Sequence, residues 1–360
     1  MLPQGRPAPL LFDALPALAK RVPWLALAHT PTPVEPCDAI AGWLGRGGVH
    51  MKRDDLVSPL YGGNKVRRYE FVLADAKAKG ARRLVTAGGL ASTQVMATAL
   101  FGRALGFEVR AVLFDQPVTT FAQRSLLGFA DAGVELVHGG GYATSAWRTF
   151  AALRRDTGNY LILPGAAGGL ANLGYIDAML ELGRQVERGE APRPDAIVLP
   201  TGSSGTLAAL TLGCAYLGWD TEVIGVRITS ALACNRATVG FVIRNTDAFL
   251  ARRDHRWRPL AGRARWSLYG GALGRGYGYP TPEATEGTVQ VRELTGAVGE
   301  VTYSGKALAG LRALASEERF RNKTLLLWNT LSTPRPTPPA AARDKVPPSL
   351  RWVLDRDPVA

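Results

Sequence analysis

The sequence predicts an α/β protein of two units, each an open, mostly parallel twisted sheet flanked by helices. Three observations carry that expectation. Short apolar runs alternate with longer amphipathic stretches from about residue 48 onward, the signature of parallel strands joined by crossover helices. Glycine clusters, Gly139-Gly-Gly141 and Gly165-Ala-Ala-Gly-Gly169, punctuate the middle of the chain where two units could hinge. The 360 residues, 46% of them hydrophobic, are enough to bury two cores.

In order along the chain, strands are expected at 49–52, 83–86, 109–114, 135–138, 160–163, 196–200, 223–228 and 324–328. Each is a compact apolar run, too short for a helix. Helices are expected between them at 65–79, 93–105, 121–132, 173–188 and 206–217. No internal repeat is visible. From Ser332-Thr-Pro-Arg-Pro-Thr-Pro-Pro339 onward the chain reads as a Pro-rich extended tail, in which Leu350-Arg-Trp-Val-Leu354 could dock locally.

Composition removes several classes. Cys37, Cys214 and Cys234 are too few for a disulfide scaffold and lack metal-site spacing, which fits a reducing cytoplasm. His29, His50, His138 and His255 also lack ligand spacing, so no metal is expected. No apolar stretch approaches the roughly 20 residues of a membrane helix. Asp13, Lys20 and Arg21 interrupt the apolar N-terminal segment too early for a signal-peptide core. A soluble cytoplasmic protein is the expectation. The net charge of +13 could mark a nucleic-acid patch at Arg252-Arg-Asp-His-Arg-Trp-Arg258. Arginines are instead scattered along the whole chain with no nucleic-acid motif beside them, so nucleic-acid binding is not expected.

Three constellations carry chemistry. Lys52-Arg-Asp-Asp55 precedes Gly62-Gly-Asn-Lys65, and Lys65 falls at a helix N-terminus. The positive potential there lowers an amine's pKa and frees it for carbonyl chemistry, although a solvated lysine opening a helix is the commoner occupant. Thr201-Gly-Ser-Ser-Gly-Thr206 follows a strand and opens an apolar helix, the layout of a phosphate cradle, with a plain turn as the competing reading. It is neither a Walker loop nor a dinucleotide fingerprint. Thr86-Ala-Gly-Gly-Leu-Ala-Ser-Thr-Gln94 repeats the strand–loop–helix layout and could hold a carboxylate through backbone N–H groups, Ser92 and Thr93.

With these residues in view, the chain resembles the D-cysteine desulfhydrase and 1-aminocyclopropane-1-carboxylate deaminase group of fold type II pyridoxal-phosphate enzymes. The likeness runs from about Thr30 to Thr330 and rests on Lys52-Arg-Asp-Asp55, Gly62-Gly-Asn-Lys-Val-Arg67, Gly202-Ser-Ser-Gly-Thr206, Gly276-Tyr-Gly-Tyr-Pro280 and Thr302-Tyr-Ser-Gly-Lys-Ala307. It implies pyridoxal 5'-phosphate as cofactor, Lys65 as its Schiff-base lysine and Asn64 beside it. Thr201, Gly202, Ser203, Ser204, Gly205 and Thr206 would cradle the phosphate, and Thr330 would meet the pyridine nitrogen. Ser92, Thr93 and Gln94 would bind substrate, with Thr93 also at the cofactor. Tyr277 and Tyr303 would be the active-site tyrosines. A large cofactor domain of residues 1–66 plus 176–331, a smaller domain of 67–175, a tail of 332–360, a small amino-acid substrate and a homodimer are implied as well.

The sequence departs from that pattern at three places. Ala91-Ser-Thr-Gln94 stands where the family has Gln-Ser-Asn-His, Leu331-Ser332 stands for Gly-Gly, and Ser304 replaces the acidic residue of the cyclopropane deaminases. The expected chemistry is elimination or ring opening to a 2-oxo acid and ammonia, with Lys65 as general base at Cα. β-Replacement on the same fold and a catalytically degraded cofactor-binding homologue are the alternatives that the altered loop raises.

Overall fold

The computed structural model describes residues 7–359 and bears out the α/β expectation. Ten strands are present among the described residues: β1 (Val34–Pro36), β2 (Val49–Lys52), β3 (Arg83–Gly89), β4 (Glu108–Phe114), β5 (Glu135–Gly140), β6 (Asn159–Ile162), β7 (Ala196–Thr201), β8 (Glu222–Arg227), β9 (Trp266–Tyr269) and β10 (Leu325–Trp328). They form two sheets. The larger runs β1-β2-β10-β7-β8-β9 and the smaller β5-β4-β3-β6. All pairings are parallel except β1 on β2, which is antiparallel at the edge.

Side-chain alternation explains why the large sheet is covered on both faces. Ile197 and Leu199 point into one apolar cluster with the helices Gly169–Glu187, Gly205–Tyr216 and Arg236–Ala251. Ala196 and Val198, one residue out of step, join the other cluster with Ile40, Val291, Leu308 and Leu311. A doubly covered parallel strand has no wet face, so its sequence is apolar throughout, as at 196–200. The small sheet packs against the helices Thr93–Ala104 and Thr120–Asp131 through Leu84, Val95, Phe101, Leu126 and Phe129.

The helix Lys65–Ala78 runs between these bodies. Its Val66, Tyr69 and Leu73 enter the small-sheet core, while Phe71 enters the core of the large one. Its inner end is fixed by a buried ionic hub. Arg67 donates to both Asp54 oxygens, to both Glu181 oxygens and to the Thr32 hydroxyl, and Lys52 Nζ donates to Glu181 at 2.6 Å. Tyr175 and Trp328 add hydrogen bonds to Asp54 at 2.7 and 2.9 Å. Gly174 is required where the two helices touch, since a Cβ there would lie 2.1 Å from the Arg67 carbonyl oxygen.

The C-terminal segment is more ordered than a Pro-rich tail. It carries a 3-10 turn (Ala340–Lys345) and a helix (Pro348–Asp355) that opens with proline at its first position. Val346, Leu350 and Val353 are fully buried in the small-sheet core. Proline supplies the linker character, and the apolar residues beyond it supply the docking energy.

Candidate active site

The functional side chains gather at the carboxyl ends of β3, β4 and β7, where ligands bind in open α/β sheets. One cavity of about 420 Å³ is walled by Asn64, Lys65, Ser92, Thr93, Gln94, Thr201, Gly202, Ser203, Ser204, Gly205, Thr206, Tyr277 and Tyr303. Of the residues singled out from sequence, Thr330 alone is not in that wall. It lines a small neighbouring pocket, and its carbonyl accepts the Asn64 N–H at 3.1 Å.

Lys65 is the first residue of its helix and only 8% exposed. Burial, and then the neighbouring Arg68 guanidinium, lower its amine to about 7. The helix terminus invoked from sequence is not the leading cause. Lys65 Nζ donates to Asn64 Oδ1 at 2.7 Å, and Asn64 Nδ2 reaches the Thr206 hydroxyl at 3.2 Å. The loop before it is held by backbone. A Cβ on Gly62 would sit 1.9 Å from the Asp55 carbonyl oxygen, and Gly63 adopts φ +84° against Thr330. Ser332, where the family has glycine, accepts the Gly62 N–H at 2.7 Å, so that departure ties the lysine loop down.

Opposite lies the head of the helix Gly205–Tyr216. Its N-cap, Ser204, is left-handed at φ 64° and makes no side-chain cap, so the first-turn N–H groups remain available to an anion. A Cβ on Gly205 would lie 2.7 Å from Arg68 Nη2, and that guanidinium also donates to the Thr206 hydroxyl at 2.8 Å. Thr93 and Gln94 begin the helix Thr93–Ala104, capped by the Ser92 hydroxyl accepting from Val95 N–H. Gln94 spends its amide on Thr86 Oγ1 and the Leu163 carbonyl at 2.9 and 3.0 Å, leaving its buried Oε1 without a partner.

The two tyrosine hydroxyls meet at 2.7 Å. Burial raises both above the ordinary phenol value. Each tyrosine is positioned by a buried charge. Glu300 accepts the backbone N–H groups of Thr302 and Tyr303, while Lys306 Nζ donates to the Leu273 and Gly276 carbonyls at 2.8 Å each. Ser304 bonds the backbone of Glu300 and so completes that turn.

Sequence reasoning missed Phe114, Tyr142, Ser145, Gly165 and Thr229 in the cavity wall. Gly165 did give a signal, the glycine cluster read as a hinge; it stands at φ 72°, with Ser203 Oγ 1.9 Å from where a Cβ would be.

The model of the "Pyridoxal-phosphate dependent enzyme" family matches residues 25–330. The chain belongs to that family. It is 32% identical over 317 residues to a D-cysteine desulfhydrase of Salmonella schwarzengrund (strain CVM19633), covering 86% of this chain and 93% of that one. Among solved structures it is similar to an ACC deaminase homologue, with TM-score 0.74 and 26% identity over 90% of this chain and 95% of that one. A fungal L-serine ammonia-lyase from Rhizomucor miehei, 17% identical, shares the fold at TM-score 0.61 over 89% of this chain and 99% of that one.

This pyridoxal-phosphate dependent enzyme has a site that fits its cofactor. An uncapped helix head, a glycine where no side chain could stand and a desolvated amine all border one cavity.

Proposed function

We propose that this enzyme is an amino-acid lyase or deaminase of the D-cysteine desulfhydrase and 1-aminocyclopropane-1-carboxylate deaminase type, converting a small amino acid to a 2-oxo acid and ammonia. The observation that carries the reading is the Lys65 amine, lowered to about 7 by burial, in the same cavity as the open helix head at Gly205.

In this reading Gly202, Ser203, Ser204, Gly205 and Thr206 hold the cofactor's phosphate, with Thr201 at the strand end behind them, and Asn64 and Lys65 hold its reactive end. When bound, pyridoxal phosphate supplies an electron sink for negative charge developing at the substrate's Cα. Lys65 Nζ removes the Cα proton, being neutral enough at physiological pH to accept it and oriented by Asn64. Ser92 keeps its hydroxyl proton free, because its oxygen only accepts from Val95 in the cap, and donates it with Thr93 to the substrate carboxylate. Gln94 braces the same end, its amide donating to Thr86 Oγ1 and the Leu163 carbonyl. Tyr277 and Tyr303 stay protonated at neutral pH and share one hydrogen bond, so either can deliver a proton to the leaving group. Thr330 positions Asn64 through its carbonyl. We take the working unit to be a homodimer, as the family likeness implies; light scattering at the mass of a single 38.5 kDa chain refutes that.

Two measurements test the scheme together. Borohydride reduction followed by peptide mapping should place the pyridoxyl group on Lys65. D-cysteine or 1-aminocyclopropane-1-carboxylate should release ammonia and a 2-oxo acid. A label on another lysine, or no product from a panel of small amino acids, overturns it.

A further inference from the structure

Beside the cavity around Lys65 lies a second, of about 750 Å³, and the two share Tyr142, Thr229, Ala233 and Tyr277 as common wall. The cofactor and an amino acid the size of cysteine belong to the inner cavity. The outer one has no task in the turnover of so small a substrate.

Its far wall comes from the C-terminal segment, which is anchored. Leu350 and Val353 are fully buried, Gln123 Nε2 donates to the Val353 and Arg356 carbonyls at 3.0 and 2.8 Å, and Val359 N–H donates to Val118 O at 2.7 Å. Trp352 and Arg356 are therefore held at the cavity rather than swept across it. Tyr142, the loop of Tyr277 and Tyr279, and Trp352 bring four aromatic rings to one space from three parts of the chain. Arg275 lies over the Tyr279 ring at 4.8 Å and Arg356 over Trp352 at 6.0 Å. Rings and guanidinium planes offer faces and edges to a planar aromatic guest.

We propose that this outer cavity binds an aromatic group carried on the substrate's leaving atom, so that the preferred substrate is an S-aryl or S-arylmethyl cysteine rather than cysteine. The inference rests on the lyase reading and names its substrate class. The reaction balances: the conjugate RS–CH2–CH(NH3+)–COO⁻ and one water give RSH, pyruvate and ammonium. The C–S bond breaks with its electron pair on sulfur, which takes a proton from Tyr277, the tyrosine that borders both cavities.

The holoenzyme is assayed with cysteine and S-benzylcysteine, each as both enantiomers. S-Benzylcysteine should give the larger kcat/KM by about tenfold, and Trp352→Ala and Arg275→Ala should each lower that value about fivefold more than the value for cysteine, through KM. Equal values for the two substrates, or variants that reduce both alike, overturn the proposal. Calorimetric titration of both compounds into the Lys65→Ala protein separates this proposal from the lyase reading. Tighter binding of S-benzylcysteine with no turnover by the parent enzyme removes the lyase and keeps the outer site. Equal binding, or turnover of cysteine without preference, removes the outer site.

Discussion

Lys65 differs from an ordinary helix-opening lysine in being buried and in having an amide rather than a carboxylate at hydrogen-bond distance from its amine. Its neighbours are a neutral amide and a guanidinium, so burial and Arg68 both act against the ammonium form. The rate at which cofactor-free protein captures pyridoxal phosphate, followed by visible absorbance, should therefore rise with pH with a midpoint near 7 and level off above it. A rate still climbing through pH 9 would mean the amine is hydrated. Asn64→Asp places a negative charge 2.7 Å away and should move that midpoint upward. The same shift sets a stability trend. Lys65 has its folded-state value below its unfolded value of 10.5, so between about 7 and 10.5 the unfolded chain binds the extra proton. Its destabilising contribution in cofactor-free protein is thus full below about 7 and relieved as pH rises through that window.

The elements that bring these residues together are held by buried charges. Lys306 secures the loop of Tyr277 by two carbonyl bonds, and that loop needs Gly276 at φ 143° and Gly278 at φ 79°. Lys306→Met keeps most of the stem and removes the donor. It should lower kcat about tenfold, by loosening the tyrosine pair, while stability falls by about 1–3 kcal/mol from the unpaired carbonyls. An unchanged kcat with lowered stability would make Lys306 purely structural. The ionic hub is more costly to break. Burial would push Glu181 up, but Arg67 and Lys52 outweigh it and hold the carboxyl at about 2, and Asp54 is lowered by the same partners. Arg67→Met leaves both acids buried without their main cation, a loss of about 3–5 kcal/mol in denaturant unfolding. A depressed carboxylate stabilises above its unfolded value and loses that contribution as protons bind. The parent should therefore lose hub stability as pH falls from about 4.5 to about 2.

At the scale of the molecule, contiguous features were readable in the sequence and assembled ones were not. The Lys65 loop and the loop 201–206 each sit in one short segment, and eight strands announced themselves as apolar runs. β1 and β9 did not, because edge strands of three and four residues are only half-buried and carry no apolar run. Tyr142, Phe114 and Trp352 meet the site only after the sheets are packed, so nothing local marks them. The C-terminal segment is the clearest case, since its prolines read as a linker while Val346, Leu350 and Val353 complete the small-sheet core. Ending the chain after Lys345 strips those three side chains from the small-sheet core, at about 1.5–3 kcal/mol for each large apolar residue. Among the described residues, the large sheet shares no buried cluster with the segment. The shortened protein should keep its circular dichroism and the large-sheet amide protection, while exchange quickens over 120–136 and the melting temperature drops. Uniform loss of protection across both sheets would mean instead that the segment holds the whole molecule together.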